Sequence, residues 1–150
     1  MEIERLSKNF TFYELTRTDF VEHLEKNKML ARHPAIVRNL KSLCNELLQE
    51  IRNHFDSPCK VTSGFRYYDL NKTVGGSENS QHLHGEAADF YIQGFDNEQV
   101  FNWIKKSGLC FGQLILEPSW IHISLAKYCS NFNECFIAKK KNGKTIYERV

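Results

Sequence analysis

Apolar side chains recur at steps of three and four between Pro34 and Phe55, a spacing that predicts one long amphipathic helix. Pro34 suits the first turn of a helix, and Ser57-Pro58 ends the pattern. The apolar positions of this helix are Ile36, Leu40, Leu43, Leu47, Ile51 and Phe55. We therefore expect the helix to bury one face against the core.

Shorter stretches with an alternating pattern predict strands. We expect extended chain over 59–62, 86–92, 111–117 and 120–125, and a hairpin over 134–149 that turns at Asn142-Gly143. A second helix is predicted from Asp96, with Gln99 in the capping-box position, to Gly108. This order of elements predicts an α+β fold in which helices pack on a small antiparallel sheet.

The strands Phe111–Glu117 and Trp120–Leu125 are separated only by Pro118-Ser119. A two-residue hairpin turn at this point would place Glu117 opposite Trp120 and Ile115 opposite His122. Glu117 and His122 would then lie on the same face of the hairpin, about 7–8 Å apart along the diagonal.

The composition is that of an ordinary globular protein. The chain has 150 residues, of which 41% are hydrophobic and 25% charged. This length predicts a single domain over residues 1–150. With 20 Lys+Arg against 18 Asp+Glu the formal charge is only +2, which argues against binding to nucleic acid or to an anionic membrane through net charge. We expect a monomer with neither of these partners.

The N-terminal run from Met1 to Leu6 is charged and lacks an apolar h-region, so we expect synthesis in the cytoplasm without a cleaved signal peptide. The chain has an odd number of cysteines and no C-x-x-C pair. They are Cys44, Cys59, Cys110, Cys129 and Cys135. In a chain without a signal peptide we interpret them as reduced core residues.

The stretch from Val74 to Gly85 is a polar, glycine-rich loop that ends in two histidines, His82 and His84. Seven residues after His82, Asp89 interrupts an apolar strand, where a carboxylate is costly to bury unless it is paired or binds a metal. His122 alternates with core residues on a later strand. Two histidines and one aspartate are the ligand count of a catalytic zinc site, although each could instead be a hydrogen-bonded structural residue.

Two further charged residues lie near these candidate ligands. A carboxylate at Glu117 can act as a general acid and base in amide hydrolysis, or it can simply be an exposed residue at the end of a hairpin. Arg66 follows the strand that ends at Thr62. Its guanidinium can bind a substrate carboxylate or an oxyanion, or it can form a surface ion pair.

These motifs, in their order along the chain, resemble a known family. They are Val61-Thr62-Ser63-Gly64-Phe65-Arg66, Asn71, Val74-Gly75-Gly76, Ser80-Gln81-His82 with Gly85, Ala87 and Asp89, and Trp120-Ile121-His122-Ile123-Ser124. Over about residues 10 to 128 the chain is similar to the zinc D-alanyl-D-alanine carboxypeptidase family of murein peptidases. The family includes L-alanyl-D-glutamate endopeptidases of phage lysins and shares its fold with the hedgehog signalling domain.

The resemblance implies a site with Zn²⁺ bound by His82, Asp89 and His122. It implies that Arg66 orients the substrate or stabilises the oxyanion. Members of the family place the catalytic glutamate shortly before the last histidine, often three residues before it. Here Ser119 occupies that position, and we assign the role to Glu117, five residues before it.

The residues expected to contact substrate are Ser80, Gln81, His84 and Tyr67. Because a fourth protein ligand would displace the catalytic water, we interpret His84 as a residue near the mouth of the site and not as a ligand. The remaining histidines, His23, His33 and His54, lie outside the motifs and are predicted to be at the surface.

The predicted function is zinc-dependent hydrolysis of peptidoglycan stem peptides, as a D,D-carboxypeptidase or an endopeptidase. The absence of a signal sequence favours a phage or prophage endolysin that acts at the bacterial cell wall after phage-assisted release. Two alternatives stay open: a non-catalytic zinc-binding module on the same fold, and a structural protein of the virion. The Lys139-Lys140-Lys141 run has no predicted role beyond keeping a turn soluble.

Overall fold

A mixed sheet forms the centre of the computed structural model, which describes residues 3–127 and 131–150. The strands are β1 (Arg5–Ser7), β2 (Phe10–Thr11), β3 (Cys59–Ser63), β4 (Ala87–Ile92), β5 (Phe111–Leu116), β6 (Ile121–Leu125), β7 (Glu134–Lys141) and β8 (Lys144–Arg149). Strands β1 and β2 form a separate ribbon. The other strands form one sheet in the order β3-β4-β6-β5-β7-β8.

Helices precede, interrupt and cover this sheet. They are α1 (Phe12–Thr16), α2 (Val21–Leu30), α3 (Pro34–Leu43), α4 (Gln49–Phe55), α5 (Tyr68–Thr73) and α6 (Asn97–Lys106). A π-helical segment, Cys44–Leu48, joins α3 to α4, so the predicted helix from Pro34 to Phe55 is confirmed as one continuous rod. Its apolar stripe is the centre of the core, since Leu40, Leu43, Leu47 and Ile51 are completely buried.

The predicted antiparallel sheet is wrong for one pair of strands. Strand β7 runs parallel to β5, with Leu116 beside Ile137, whereas the other neighbours in the sheet are antiparallel. The chain leaves β6 and passes the start of β5, where the backbone N–H of Asn133 donates to the carbonyl of Phe111 at 2.6 Å. A hairpin pattern predicts how β7 and β8 pair with each other, but not which edge of the sheet they join.

The turns match the predictions in part. Asn142 and Gly143 both have positive φ, as a two-residue hairpin turn requires, which confirms the hairpin over 134–149. Asp96 is the N-cap of α6, but its side chain makes no capping hydrogen bond, so the capping box predicted with Gln99 is not formed. A capping box forms instead between Thr11 and Glu14 at α1.

Successive side chains of β4 and β6 point to opposite faces of the sheet, so that one face packs in the core and the other carries the candidate site residues. On β6, Ile121 and Ile123 are fully buried in the core, while His122 projects from the opposite face. Asp89 of β4 pairs directly with His122 in the ladder, so the two side chains stand side by side on one face. The predicted hairpin register is also confirmed, with Ile115 opposite His122 and the N–H of Glu117 bonded to the carbonyl of Trp120.

The four cysteines within the described residues are free thiols. Cys44, Cys59 and Cys135 are buried as predicted, but the prediction of a core position is wrong for Cys110, which is exposed after the end of α6. Cys129 and the first two residues lie outside the described part of the chain. In the described segments, every helix is too short or too polar to cross a membrane.

Candidate metal centre and active site

Three side chains that are distant in the sequence meet on the open face of the sheet. Their donor atoms all lie within 4.8 Å of one another. Asp89 Oδ1 lies 2.9 Å from His122 Nδ1 and 3.3 Å from His82 Nε2. Asp89 and His122 come from paired strands, whereas His82 reaches them from a short 3₁₀ helix, Gln81–His84. The structure thus brings together the three predicted metal ligands.

The local backbone fixes the orientation of His82. The Ser80 hydroxyl accepts from the backbone N–H of His82 and begins the 3₁₀ helix, and Gly85 ends it with a φ of 71°. On the ring, Nδ1 lies 2.8 Å from the carbonyl oxygen of Gly64. Because a carbonyl can only accept, Nδ1 carries the proton and Nε2 presents a lone pair to Asp89. A neutral imidazole held in this way is how proteins orient a metal-ligating histidine.

The charges of this cluster suit a cation. Burial alone would raise the pKa of the Asp89 carboxyl, but its interactions with the rings of His82 and His122 outweigh burial and hold that pKa well below its usual range. Burial lowers the pKa of His82 despite the neighbouring carboxylate. A carboxylate facing the lone pair of a neutral imidazole at 3.3 Å is favourable when a cation lies between them. The donor set therefore fits a metal ion.

An open cleft of about 620 Å³ lies over these three residues. Arg66, Ser80 and Gln81 line one part of it, and Glu117 and Trp120 line another. Arg66 is the only Lys or Arg among the described residues that line this cleft. A ligand in the cleft would therefore meet a cationic group and an acidic group beside the metal-binding cluster.

Arg66 is held loosely and close to the cluster. Its two terminal nitrogens donate at 3.5 Å to the hydroxyls of Ser63 and Ser80, while its buried Nε has no hydrogen-bond partner in residues 3–127 and 131–150. Burial lowers the pKa of Arg66, and the charge of Asp89 opposes this shift. A guanidinium with unused donors in a cleft can bind a carboxylate or an oxyanion.

Gly76, in the glycine-rich loop beside the cleft, occupies a position that has no room for a larger residue. A Cβ at this position would lie 3.1 Å from Arg66 Nη2 and would collide with the Asn71 side-chain oxygen. Asn71 in turn donates through Nδ2 to the carbonyl of Ser77 at 2.9 Å. The glycine is therefore needed so that the loop can lie close against the Asn71 side chain, next to the guanidinium.

Glu117 is half-buried at the end of the hairpin and points into the cleft. Its Oε2 accepts a hydrogen bond of 3.4 Å from the hydroxyl of Tyr147. Burial raises the pKa of Glu117 and the charge of Asp89 adds to this, whereas Tyr147 and His122 oppose it. A carboxyl with a raised pKa beside a candidate metal centre is suited to accept and return protons.

Two predicted substrate residues lie elsewhere. Within the described chain, neither Tyr67 nor His84 lines the cleft. Tyr67 is the buried N-cap residue of α5, and its hydroxyl pairs with His23 of α2. His84 is exposed at the end of the 3₁₀ helix, with its carbonyl bonded to Asn39 at 2.9 Å. The structure therefore offers no support for substrate contacts by these two side chains.

The histidines outside the motifs have structural roles. His23, predicted at the surface, is half-buried and contacts both Tyr67 and Thr73. His33 is the N-cap of α3, where its Nδ1 accepts from the N–H of Ala35. His54 is exposed and stacks on the ring of Trp103 at a centroid distance of 3.9 Å.

Several cleft residues were absent from the sequence-based prediction. Gln113 of β5 follows the strand alternation that also places Ile115 and Glu117 in the cleft, so the strand pattern could have identified it. Asn131 and Tyr147 lie beyond the last recognisable motif, and no local signal marks them. Asn131 donates to the Gln81 side-chain oxygen at 2.8 Å, and Gln81 donates to the carbonyl of Leu125 at 3.0 Å.

Two imidazoles and a carboxylate in an open cleft, beside a carboxylate and a guanidinium, are the kind of groups that a metal-dependent hydrolase uses. The model of the peptidase M15 family matches residues 10–124, which is most of the chain. The chain belongs to this family, and the family predicted from the motifs is thereby confirmed.

A curated relative matches a shorter part of the chain. It is the zinc D-Ala-D-Ala carboxypeptidase of Streptomyces albus G, which is 39% identical over 83 residues. The match covers 54% of this chain and 30% of that protein. The chain therefore spans less than a third of the length of this relative.

Proposed function

We propose that this protein is a zinc-dependent peptidase that hydrolyses the stem peptides of peptidoglycan. The observation that carries the proposal is the convergence of His82, Asp89 and His122 beneath a cleft that also holds Glu117 and Arg66. The peptidase family and the zinc carboxypeptidase relative support the same reaction class.

The cofactor is Zn²⁺, held by His82, Asp89 and His122. Three protein ligands are the number that a catalytic zinc site uses, because one position must stay open for water or substrate. A bound Zn²⁺ supplies Lewis-acid chemistry, which lowers the pKa of water and polarises a carbonyl group. The bond from His82 to the Gly64 carbonyl orients this ligand before the metal binds.

Glu117 acts as the general base and then as the general acid. Its carboxylate takes the proton of the attacking water and passes it to the amine that leaves when the peptide bond breaks. This role is supported by the hairpin register, in which Glu117 lies one diagonal step from His122, and by the cleft that both residues line. The hydrogen bond from Tyr147 leaves the other carboxylate oxygen of Glu117 available.

Arg66 binds negative charge on the substrate. Its Nε is buried without a partner in the described structure, and its terminal nitrogens make only long contacts with serine hydroxyls. A carboxylate of the stem peptide or the oxygen of the tetrahedral intermediate would satisfy these donors. Ser80 and Gln81 act through their neighbours: Ser80 contacts Arg66, and Gln81 fastens the 3₁₀ helix to the segment around Leu125 and Asn131.

The peptide bond that is cleaved is either the terminal D-Ala-D-Ala bond or a bond that an endopeptidase cuts, which is the L-Ala-D-Glu bond or a cross-link. The name of the relative favours the first, but a cationic residue such as Arg66 serves an endopeptidase equally well. Digestion of purified murein followed by mass spectrometry of the fragments distinguishes the two, because only a carboxypeptidase releases free D-alanine. The role as a phage or prophage endolysin stays a prediction, which lysis from within a host that coexpresses a membrane pore would test.

The decisive experiment combines metal analysis with murein digestion. We expect about one Zn²⁺ per chain, hydrolysis that stops with a chelator, and recovery when Zn²⁺ is returned. Glu117→Gln should retain zinc but lose hydrolysis by about 10²-fold or more, whereas His122→Ala should lose zinc as well. Glu98→Gln, an exposed change on α6, is the matched control and should behave as the unchanged protein.

Each other outcome points to a different conclusion. Zinc content near zero together with chelator-insensitive hydrolysis would contradict the proposal. Bound zinc without any hydrolysis would favour the non-catalytic module, and incorporation into purified particles would favour the virion protein. Normal turnover by Glu117→Gln would remove Glu117 from the mechanism while leaving the metal centre in place.

A further inference from the structure

We propose that Tyr147, supplied by the C-terminal hairpin outside the family-matched segment, is a positioning residue for Glu117. The proposal rests on the proposed function, in which Glu117 is the general base. The matched segment ends at residue 124, whereas Tyr147 lies on β8 and lines the same cleft as Glu117. The hairpin β7–β8 would then be part of the active site and not merely an edge of the sheet.

The strand register brings Tyr147 to Glu117 across β7. Leu116 and Ile137 are the last paired residues of β5 and β7, and Glu117 and Ala138 are the residues that follow them along the chain. Ala138 pairs directly with Tyr147 in the antiparallel ladder. Directly paired residues share one face of a sheet, so the three side chains form a row. Because the middle residue carries only a methyl group, the tyrosine ring has room to reach the carboxylate.

The hydrogen bond from Tyr147 restrains the side chain of Glu117. Tyr147 Oη donates to Glu117 Oε2 at 3.4 Å, and Tyr147 is the one side chain in the described parts of the chain that hydrogen-bonds this carboxylate. A half-buried glutamate has three side-chain torsions, and an anchor on one oxygen narrows the rotamers in which the other faces the cleft. Catalytic hydrogen bonds of this length commonly tighten when substrate binds.

The hairpin itself is anchored, so the position of Tyr147 is defined. Arg149 donates to Glu134 at 2.9 Å, and its guanidinium lies over the ring of Phe136 at 5.3 Å. The backbone N–H of Val150 also donates to the carbonyl of Cys135 at 3.0 Å. These contacts hold the end of β8 against β7 and thus keep the tyrosine beside the base.

The test is Tyr147→Phe in the zinc-loaded protein, with Tyr91→Phe as the matched control. Tyr91 is another partly exposed tyrosine of the sheet, and it does not line the cleft. We expect Tyr147→Phe to lower kcat by about tenfold, with little change in KM and in zinc content. Tyr91→Phe should leave all three unchanged.

A second readout does not depend on activity. The side-chain carboxyl of Glu117 can be titrated by carbon-13 NMR in the unchanged protein and in Tyr147→Phe. Loss of the donated hydrogen bond should raise the Glu117 pKa in Tyr147→Phe, because the bond favours the ionised form. Asp89 and His122, the charged groups that also act on Glu117, are the same in both proteins.

A second variant tests whether the Tyr147 ring needs the space above Ala138 to reach Glu117. Ala138→Leu keeps the hydroxyl but fills the gap between the two side chains, and it should reproduce the loss of kcat. An unchanged kcat and an unchanged Glu117 titration in Tyr147→Phe would overturn the inference, as would an equal loss in Tyr91→Phe. If the unchanged protein hydrolyses nothing, the proposed function fails, and the NMR titration alone still decides whether Tyr147 holds Glu117.

Discussion

Gly64→Ala should damage the metal centre without altering any predicted ligand. Gly64 follows β3 and lies against Leu15 of α1, and its carbonyl accepts the hydrogen bond from Nδ1 of His82. A Cβ at this position would lie 2.9 Å from both Cα and the carbonyl carbon of Leu15, and closer still to its oxygen. These are backbone atoms, and the same oxygen already accepts from the N–H of Phe65 at 2.8 Å.

The expected loss of stability and of zinc affinity in Gly64→Ala follows from this steric overlap. Ordinary contact begins at 3.4 Å and the Leu15 oxygen would lie well inside that distance, so the two backbone segments must separate by about 1 Å. Overpacking of this kind costs about 1–3 kcal/mol, and in a chain of this length each kcal/mol lowers the Tm by about 2–4 °C. The shift also moves the carbonyl that orients His82. Loss of such an orienting bond typically weakens metal affinity by about 10–100-fold.

The assay separates general destabilisation from the effect on the ligand. Thermal unfolding of the metal-free variant measures stability, and competition with a chromophoric chelator measures zinc affinity. Gly94→Ala is the control: Gly94 has a φ of 85° and open space around it, so alanine there costs about 1–2 kcal/mol through backbone strain alone. It should lower the Tm but keep the zinc affinity. A Gly64→Ala protein with unchanged zinc affinity would refute the orienting role of this carbonyl.

The remaining predictions concern ionisation. Burial and the charge of Asp89 raise the pKa of Glu117 in the metal-free protein, so carbon-13 NMR should find this carboxyl titrating above the usual 4.5 of glutamate. A titration midpoint at or below 4.5 in the metal-free protein would contradict this prediction. Burial raises the pKa of the Cys44 and Cys59 thiols far above the usual range, so mass spectrometry of the alkylated native protein should find Cys110 labelled and these two unlabelled. Labelling of Cys44 at the rate of Cys110 would show that the core opens readily.

The segment before Pro34 was the least predictable part of the chain. The elements α1 and α2 have no strong apolar periodicity, yet they position the site through single buried groups. Asn27 of α2 donates to the carbonyls of Thr16 and Phe65 and accepts from the N–H of Tyr67. It therefore holds the backbone on both sides of Arg66, and nothing in its sequence neighbourhood indicates this role.

What the sequence determined by itself was local or periodic. The helix from Pro34 to Phe55, the register that sets Ile115 opposite His122, and the spacing of the three predicted ligands all follow from repeats of 3.6 or 2 residues and from short motifs. Such patterns report which face of an element is apolar. These patterns can be recognised in a single sequence because each depends on residues that are close together in the chain.

Only the tertiary structure decided which distant segments complete the site. The parallel pairing of β7 with β5 brings Tyr147 to Glu117, and the approach of Gly64 selects the tautomer of His82. The same packing turns Tyr67 away from the cleft. These outcomes depend on contacts between residues 18 to 44 positions apart. No local periodicity encodes such contacts, because the free energy that selects them comes from packing whole elements together.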